Sequence, residues 1–180
     1  MASIATMTGA QFDALSFEEG RRWELIEGEL VEVSSPTPEH QMLVQRILLA
    51  LVLYVRNRMP ALVLADVEFA LAGSIRVRPN VWVMFGEKAE RLDKSKVPIE
   101  GCPDIAIEVI SPSERASESM RKVEVYLQHG VREVWQIYLG TRQAVVHTSG
   151  QIIRKLAESD TFASDLLPGF ELSVSSLFAE

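Results

Sequence analysis

From Asp104 to Ile110 the chain reads Asp-Ile-Ala-Ile-Glu-Val-Ile, a nearly unbroken apolar run between Gly101 and the breaker Ser111-Pro112-Ser113. A short run of this kind, lacking strict alternation, predicts a strand buried on both faces of a sheet. Upstream, Thr8 predicts the cap of a short helix through Phe17. Trp23 to Ile26 and Leu30 to Val33 flank Glu27-Gly28-Glu29, which predicts an N-terminal hairpin whose turn uses glycine's access to positive φ. Thr37, Pro38 and Glu39 then form a favourable helix start, and the helix is expected to reach about Arg58. From Leu43 to Val55 that helix is apolar almost all round. One core-facing stripe does not require this, so a second face is expected to pack on another element or on a second copy, as a homodimer would.

Residues 62–71 and 78–85 are rich in Val, Leu and aromatic side chains and read as strands, with turn signals at Gly73 and Gly86. Ser113 and Glu114 open a predicted helix to about Gln128, with Met120, Val123, Tyr126 and Leu127 at helical spacing and Gly130 as its stop. Short strands at residues 131–138, 143–147 and 151–156 predict a C-terminal β meander, followed by a last strand near Phe170. The class expected is α/β, leaning to α+β.

No internal repeat and no Pro/Gly/Ser-rich linker divides the 180 residues, so one domain over 1–180 is expected. With 47% hydrophobic and 24% charged residues, the composition is that of an ordinary globular chain. The net charge of −7 gives no general support for nucleic-acid binding, which would need a local basic patch. Arg76 with Arg78, Arg91 with Lys94 and Lys96, and Arg121 with Lys122 are the candidates, although such pairs commonly mark a solvated face. The single cysteine, the absence of a basic, apolar leader in MASIATMTGA, and a longest apolar stretch of 14 residues (42–55) all point to a cytoplasmic protein without a membrane span.

Within this pattern Glu108 is the anomaly. A carboxylate in an apolar strand costs several kcal/mol unless it is paired, protonated or bound to a cation. It reads either as a site carboxylate or, more plainly, as a partly exposed strand end or a structural ion pair. Asp104 shares its face but lies about 13 Å away at about 3.3 Å per residue, too far to share one ion. Asp104 is therefore expected to organise the strand's entry. A partner for Glu108 has to come from another strand, and Asn80 in Arg78-Pro79-Asn80-Val81 offers an amide oxygen to a hard cation. Lys122, on the following helix, reads as an i,i+4 surface partner of Glu118, or as an ammonium that reaches the strand end and stabilises a pentavalent phosphate.

The stretches Glu24-Leu25-Ile26-Glu27-Gly28-Glu29-Leu30, Ser35-Pro36-Thr37-Pro38-Glu39-His40, Arg78-Pro79-Asn80-Val81 and Pro103 to Ser113 resemble the Uma-type restriction endonuclease family, as do Lys122, Tyr126, Gly130-Val131, Glu133 and Trp135. The resemblance spans roughly residues 8–156. It implies a restriction-endonuclease-like fold of the PD-(D/E)XK nuclease superfamily, a mixed β-sheet flanked by helices. It also implies an Mg²⁺- or Mn²⁺-dependent endonuclease acting on DNA, with Glu108 and position 80 as metal ligands. The resemblance further implies that Lys122 takes the catalytic role of the superfamily's lysine, whose usual place, two residues after Glu108, is Ile110 here.

Asn80 stands where the family pattern has aspartate, and an amide lacks the charge that helps hold Mg²⁺, so metal affinity is expected to fall. His40 matches a family histidine and reads as a catalytic general base, or as a residue of capping or structural hydrogen bonding. Glu24 also matches, with an exposed turn-flanking carboxylate as the plainer explanation. His129 and His147 lack ligand spacing and receive no role. Two functions are carried forward: a metal-dependent DNA endonuclease weakened at Asn80, and a catalytically inactive nuclease-fold module that self-associates through the long helix.

Overall fold

The computed structural model describes residues 6–56, 58–150 and 153–179. Its elements run α1 (Gly9–Asp13), β1 (Arg22–Ile26), β2 (Glu29–Val33), α2 (Pro38–Val55), β3 (Ala61–Ala65), β4 (Phe69–Ala72), β5 (Ile75–Val77), β6 (Val81–Phe85), α3 (Gly86–Glu90), β7 (Ile99–Glu100), β8 (Ile105–Ile110), α4 (Ala116–Gln128), β9 (Glu133–Tyr138), β10 (Gln143–Thr148), β11 (Ile153–Leu156), β12 (Thr161–Ser164), β13 (Leu167–Ser173) and α5 (Val174–Leu177). The strands form a mixed six-stranded sheet, β11-β10-β9-β8-β6-β3, a five-stranded sheet, β2-β1-β5-β4-β7, and the hairpin β12-β13. β8 runs parallel to β9 and antiparallel to β6, and all six of its residues are buried.

The two faces of the larger sheet bury different partners. Ile105, Ile107 and Val109 of β8 pack with α2 and the C-terminal hairpin, including Leu43, Ile47, Phe162 and Phe170. Ala106 packs with α4 and the smaller sheet, including Val123, Tyr126, Phe69 and Ile75. By strand alternation Glu108 shares the face of Ala106, so it lies beneath α4 and beside the smaller sheet.

Several expected boundaries move. α1 ends at Asp13 rather than Phe17, although Thr8 does cap it, through a reciprocal capping box with Gln11. The hairpin loop is Glu27-Gly28, with φ of 52° and 82°, the doubly positive geometry of a tight two-residue turn. A Cβ at Gly28 would come within 2.5 Å of Thr6 Cβ. The strand expected over 62–71 is two strands in two sheets, because the chain turns at Asp66 (φ 59°), a residue type that tolerates the left-handed region. The strand expected over 78–85 begins only at Val81, as β6, while β5 (Ile75–Val77) precedes it in the other sheet. Pro79 has no N–H for a ladder, and Arg78-Pro79-Asn80 becomes the crossing between the sheets.

α4 begins at Ala116 and not at Ser113, whose hydroxyl bonds that of Ser111 at 2.9 Å and so does not cap the helix. Met120 faces outward while Val123, Val125 and Tyr126 are buried. α3 and β7 had no counterpart in the pattern. The meander is present, but residues 151 and 152 of its expected third strand lie outside the described residues, as does residue 57 near the expected end of α2.

Candidate functional site

Glu108 is buried, and its Oε1 accepts the Tyr126 hydroxyl at 2.7 Å and meets Lys122 Nζ at 2.9 Å. Both partners come from α4. They are four residues apart, so one helix face presents them together to β8. Lys122 Nζ also meets Glu24 Oε2 at 3.0 Å, from β1 in the other sheet. The ammonium thus bridges two buried carboxylates. Glu118, the expected surface partner of Lys122, pairs with Arg115 at 3.2 Å. Nor is Glu24 the exposed turn carboxylate expected: it is buried, and its Oε1 accepts the Arg78 backbone N–H at 2.7 Å. Glu24 matches the family pattern, and an acid in Trp-Glu-Leu-Ile raises the same question of burial as Glu108.

Burial works against the charged form of Lys122, yet the carboxylates of Glu108 and Glu24 outweigh it and hold the ammonium protonated far above neutrality. Burial likewise pushes the Glu108 carboxyl up, against the pull of Lys122 and with the help of Glu24. Burial, reinforced by Glu108, raises the Tyr126 phenol well beyond its ordinary range, so its O–H remains a donor.

Asn80 and His40 both act on Val109. Asn80 Oδ1 accepts the Val109 N–H at 2.7 Å, completing the β6–β8 ladder where Pro79 interrupts it. His40 Nε2 lies 3.2 Å from Val109 O; a carbonyl only accepts, so Nε2 carries the hydrogen and Nδ1 is the bare nitrogen. Burial pushes the imidazole down, against the hydrogen bond to Val109, which agrees with a neutral ring. Among the described residues His40 Nδ1 is buried without a hydrogen-bond partner, as is Arg78 Nε.

These groups line a cleft of about 250 Å³ between the sheets, α2 and α4. Its acidic side chains, Glu24, Glu32, Asp66, Glu108, Glu114 and Glu118, outnumber its basic ones, Arg22, Arg78 and Lys122. A phosphodiester entering it therefore meets net repulsion unless cations accompany it. The basic pairs flagged in the sequence provide no compensating patch: Arg76 is bound to Asp13, Arg121 to Glu27 and Glu29, Arg91 to Glu87, and Lys96 to Asp93.

Among the described residues no group of three or more His, Cys, Asp or Glu is arranged to hold a metal ion. Magnesium needs no such cage. It commonly takes one or two carboxylates together with substrate phosphate and retained water. Glu108, whose two contacts both converge on Oε1, and the second lone pair of Asn80 Oδ1 fit that requirement, with the amide as the weak member.

Other matched residues are structural. Asp104 Oδ2 accepts the Phe85 N–H at 2.9 Å, as its entry role predicts. Glu133 accepts Trp135 Nε1 and the Ser164 hydroxyl, both at 2.8 Å, tying the sheet to the C-terminal hairpin. His147 is buried against Gln136, and His129 accepts no role beyond its 2.7 Å contact with the Val125 carbonyl.

Mixed sheets flanked by helices, with β8 buried at the centre of the larger one, make up a restriction-endonuclease-like nuclease fold. The Uma2 family model, described as "Putative restriction endonuclease", matches residues 10–175, and the chain belongs to that family. Among solved structures it is similar to "a putative nuclease belonging to DUF820 from Anabaena variabilis ATCC 29413", with a TM-score of 0.81 and 19% identity over 96% of this chain and 97% of that one. No curated protein matches.

Proposed function

We propose that the chain hydrolyses phosphodiester bonds of DNA with the help of a divalent cation, Mg²⁺ or Mn²⁺. The observation that carries this reading is the Lys122 ammonium held between Glu108 and Glu24 on the wall of a cleft. Such a fixed positive charge stabilises the charge developing on a phosphoryl group without reorganising at the moment of reaction. Glu108, through Oε2, and Asn80 would hold the cation. When bound, it would polarise the phosphoryl oxygen and acidify an attacking water. Tyr126 fixes the Glu108 rotamer, while Asn80 and His40 hold both backbone groups of Val109 and so place Glu108. His40 is thereby a positioning residue. A cytoplasmic setting belongs to the same proposal and agrees with the free Cys102. No helix of the described residues is long and apolar enough to cross a membrane.

Purified protein mixed with supercoiled plasmid and Mn²⁺ is expected to nick or linearise it, and Glu108→Ala is expected to lose that activity. Plasmid left intact by both the native chain and Asn80→Asp, beside a family member with aspartate at this position that does cleave, would overturn the reading.

A second reading, a catalytically silent module that self-associates, is favoured by one observation: Met42, Leu49, Val52 and Leu53 lie exposed along α2. An exposed Glu39 stands at its start and an exposed Arg56 just past its end. Two copies packed antiparallel would cover the apolar stripe and set Glu39 of each against Arg56 of the other. Sedimentation equilibrium is expected to give twice the chain mass, and Leu49→Glu with Leu53→Glu to give the single chain. A native chain that sediments as a monomer would remove this reading.

A further inference from the structure

One carboxylate in the cleft is unlike the rest. Glu24 and Glu108 are held by Lys122, Glu32 by Arg21, Asp66 by Arg22 and Glu118 by Arg115. Glu114 lies on the loop between β8 and α4, and among the described residues its side chain has no ion pair or hydrogen bond. Only its backbone N–H is engaged, donating to Ser111 O at 3.1 Å and so fixing the turn that presents the side chain to the cleft.

Hydrolysis by water needs a proton acceptor, and the obvious candidates are disqualified one by one. Lys122 carries its proton, held there by two carboxylates despite its burial. Glu24 and Glu108 spend their charge on Lys122. His40 has a bare Nδ1, but that atom is buried, and the ring's other nitrogen is tied to Val109 on the α2 side of the sheet. Glu114 is half-buried, has no side-chain partner among the described residues, and lines the same cleft as Glu108 and Lys122.

We infer that Glu114 is the general base of this site: its unpaired carboxylate accepts the proton of the attacking water. The inference rests on the nuclease reading above. As the water oxygen bonds to phosphorus, its proton passes to the Glu114 carboxylate. The P–O ester bond then breaks with its electron pair going to the leaving oxygen, which takes a proton from bulk water. Glu114 afterwards returns its proton to solvent, leaving one water consumed.

The surroundings suit this role. Burial raises the Glu114 carboxyl to about 7, with Glu108, Glu24 and Glu118 adding to the shift and Lys122 opposing it. From β9 the Tyr138 phenol, pushed up first by burial, is near enough to feel the Glu114 charge, which raises it further. A base near neutrality combines a useful ionised fraction with real proton affinity.

The test compares plasmid cleavage with Mn²⁺ from pH 5 to 9 for the native chain, Asn80→Asp, and each carrying Glu114→Gln. Cleavage by the parents should rise through about pH 7. Glu114→Gln should lower it about 100-fold above that pH and remove the rise, as expected for loss of general base catalysis. Thermal melts give a readout independent of activity. A carboxyl raised on folding favours the folded state below its unfolded value and weighs against it as pH climbs, so Glu114→Gln should gain melting temperature over its parent at pH 8 but not at pH 4. If the parents cleave and Glu114→Gln keeps their rate and profile, or loses rate equally at every pH, the inference falls and the nuclease reading stands. If neither parent cleaves, both fall.

Discussion

Lys122→Met is expected to destabilise the fold by about 3–5 kcal/mol at pH 7, the usual cost of removing one partner from a buried ion pair. In a chain of this size that lowers the melting temperature by about 6–20 °C, taking about 2–4 °C per kcal/mol. The reason is local. Glu24 and Glu108 both approach the Lys122 ammonium, at 3.0 and 2.9 Å, and without it two buried carboxylates face each other. The pH dependence follows from the sign of the shift. Burial already raises Glu108 above its unfolded value, so its ionisation opposes folding as pH rises. Removing the ammonium strengthens that opposition. The deficit of Lys122→Met should be largest at pH 8 and shrink as the carboxylates protonate toward pH 4.5, which thermal melts across that range would measure. Adding Glu108→Gln should restore part of the loss, because it removes one of the two orphaned charges and with it their mutual repulsion. Equal melting temperatures for Lys122→Met and the native chain at pH 8 would mean that the bridge carries no stability.

This bridge also shows where the sequence was informative and where it was not. Glu108 stood out because a run such as Ile-Ala-Ile-Glu-Val-Ile has no place for an unpaired charge. Lys122 stands four residues after Glu118, so helical spacing alone favours a local partner, and its place near Glu108 follows from the family resemblance. The preference for a local partner fails because an exposed i,i+4 pair contributes only about 0.3–0.5 kcal/mol, whereas two buried carboxylates cannot be left without a cation. Glu24 was hidden by distance. Nothing near residue 24 announces that β1 will be carried over the flank of α4, because that placement depends on β5, β4 and the two sheet crossings. The crossings had signals in Asp66 and Pro79, each a poor fit to the middle of a strand. Uniformly strand-forming residues on either side mask those signals. Asn80 and His40 were marked for chemistry, and their first observed work is on the backbone of Val109.

That double duty makes Asn80→Asp the most informative substitution. The aspartate keeps an oxygen where Val109 N–H needs an acceptor, so the ladder between β6 and β8 should survive, as it would not in Asn80→Ala. What changes is charge. Beside Glu108 and Glu24 a third carboxylate has only Lys122 to answer it, and without metal the variant should melt below the native chain. With Mn²⁺ the order should reverse. A charged ligand in place of a neutral amide is expected to tighten binding at least tenfold, about 1.4 kcal/mol, which calorimetric titration would read directly. At an Mn²⁺ concentration 100 times its dissociation constant the ion stabilises the fold by about 2.7 kcal/mol, so the melting temperature of Asn80→Asp should climb with Mn²⁺ well before that of the native chain. Glu108→Gln in the same background should abolish the response. A variant whose heat of binding and melting temperature ignore Mn²⁺ would show that Lys122 already answers the charge of the two carboxylates, and that position 80 is a backbone clamp and no ligand.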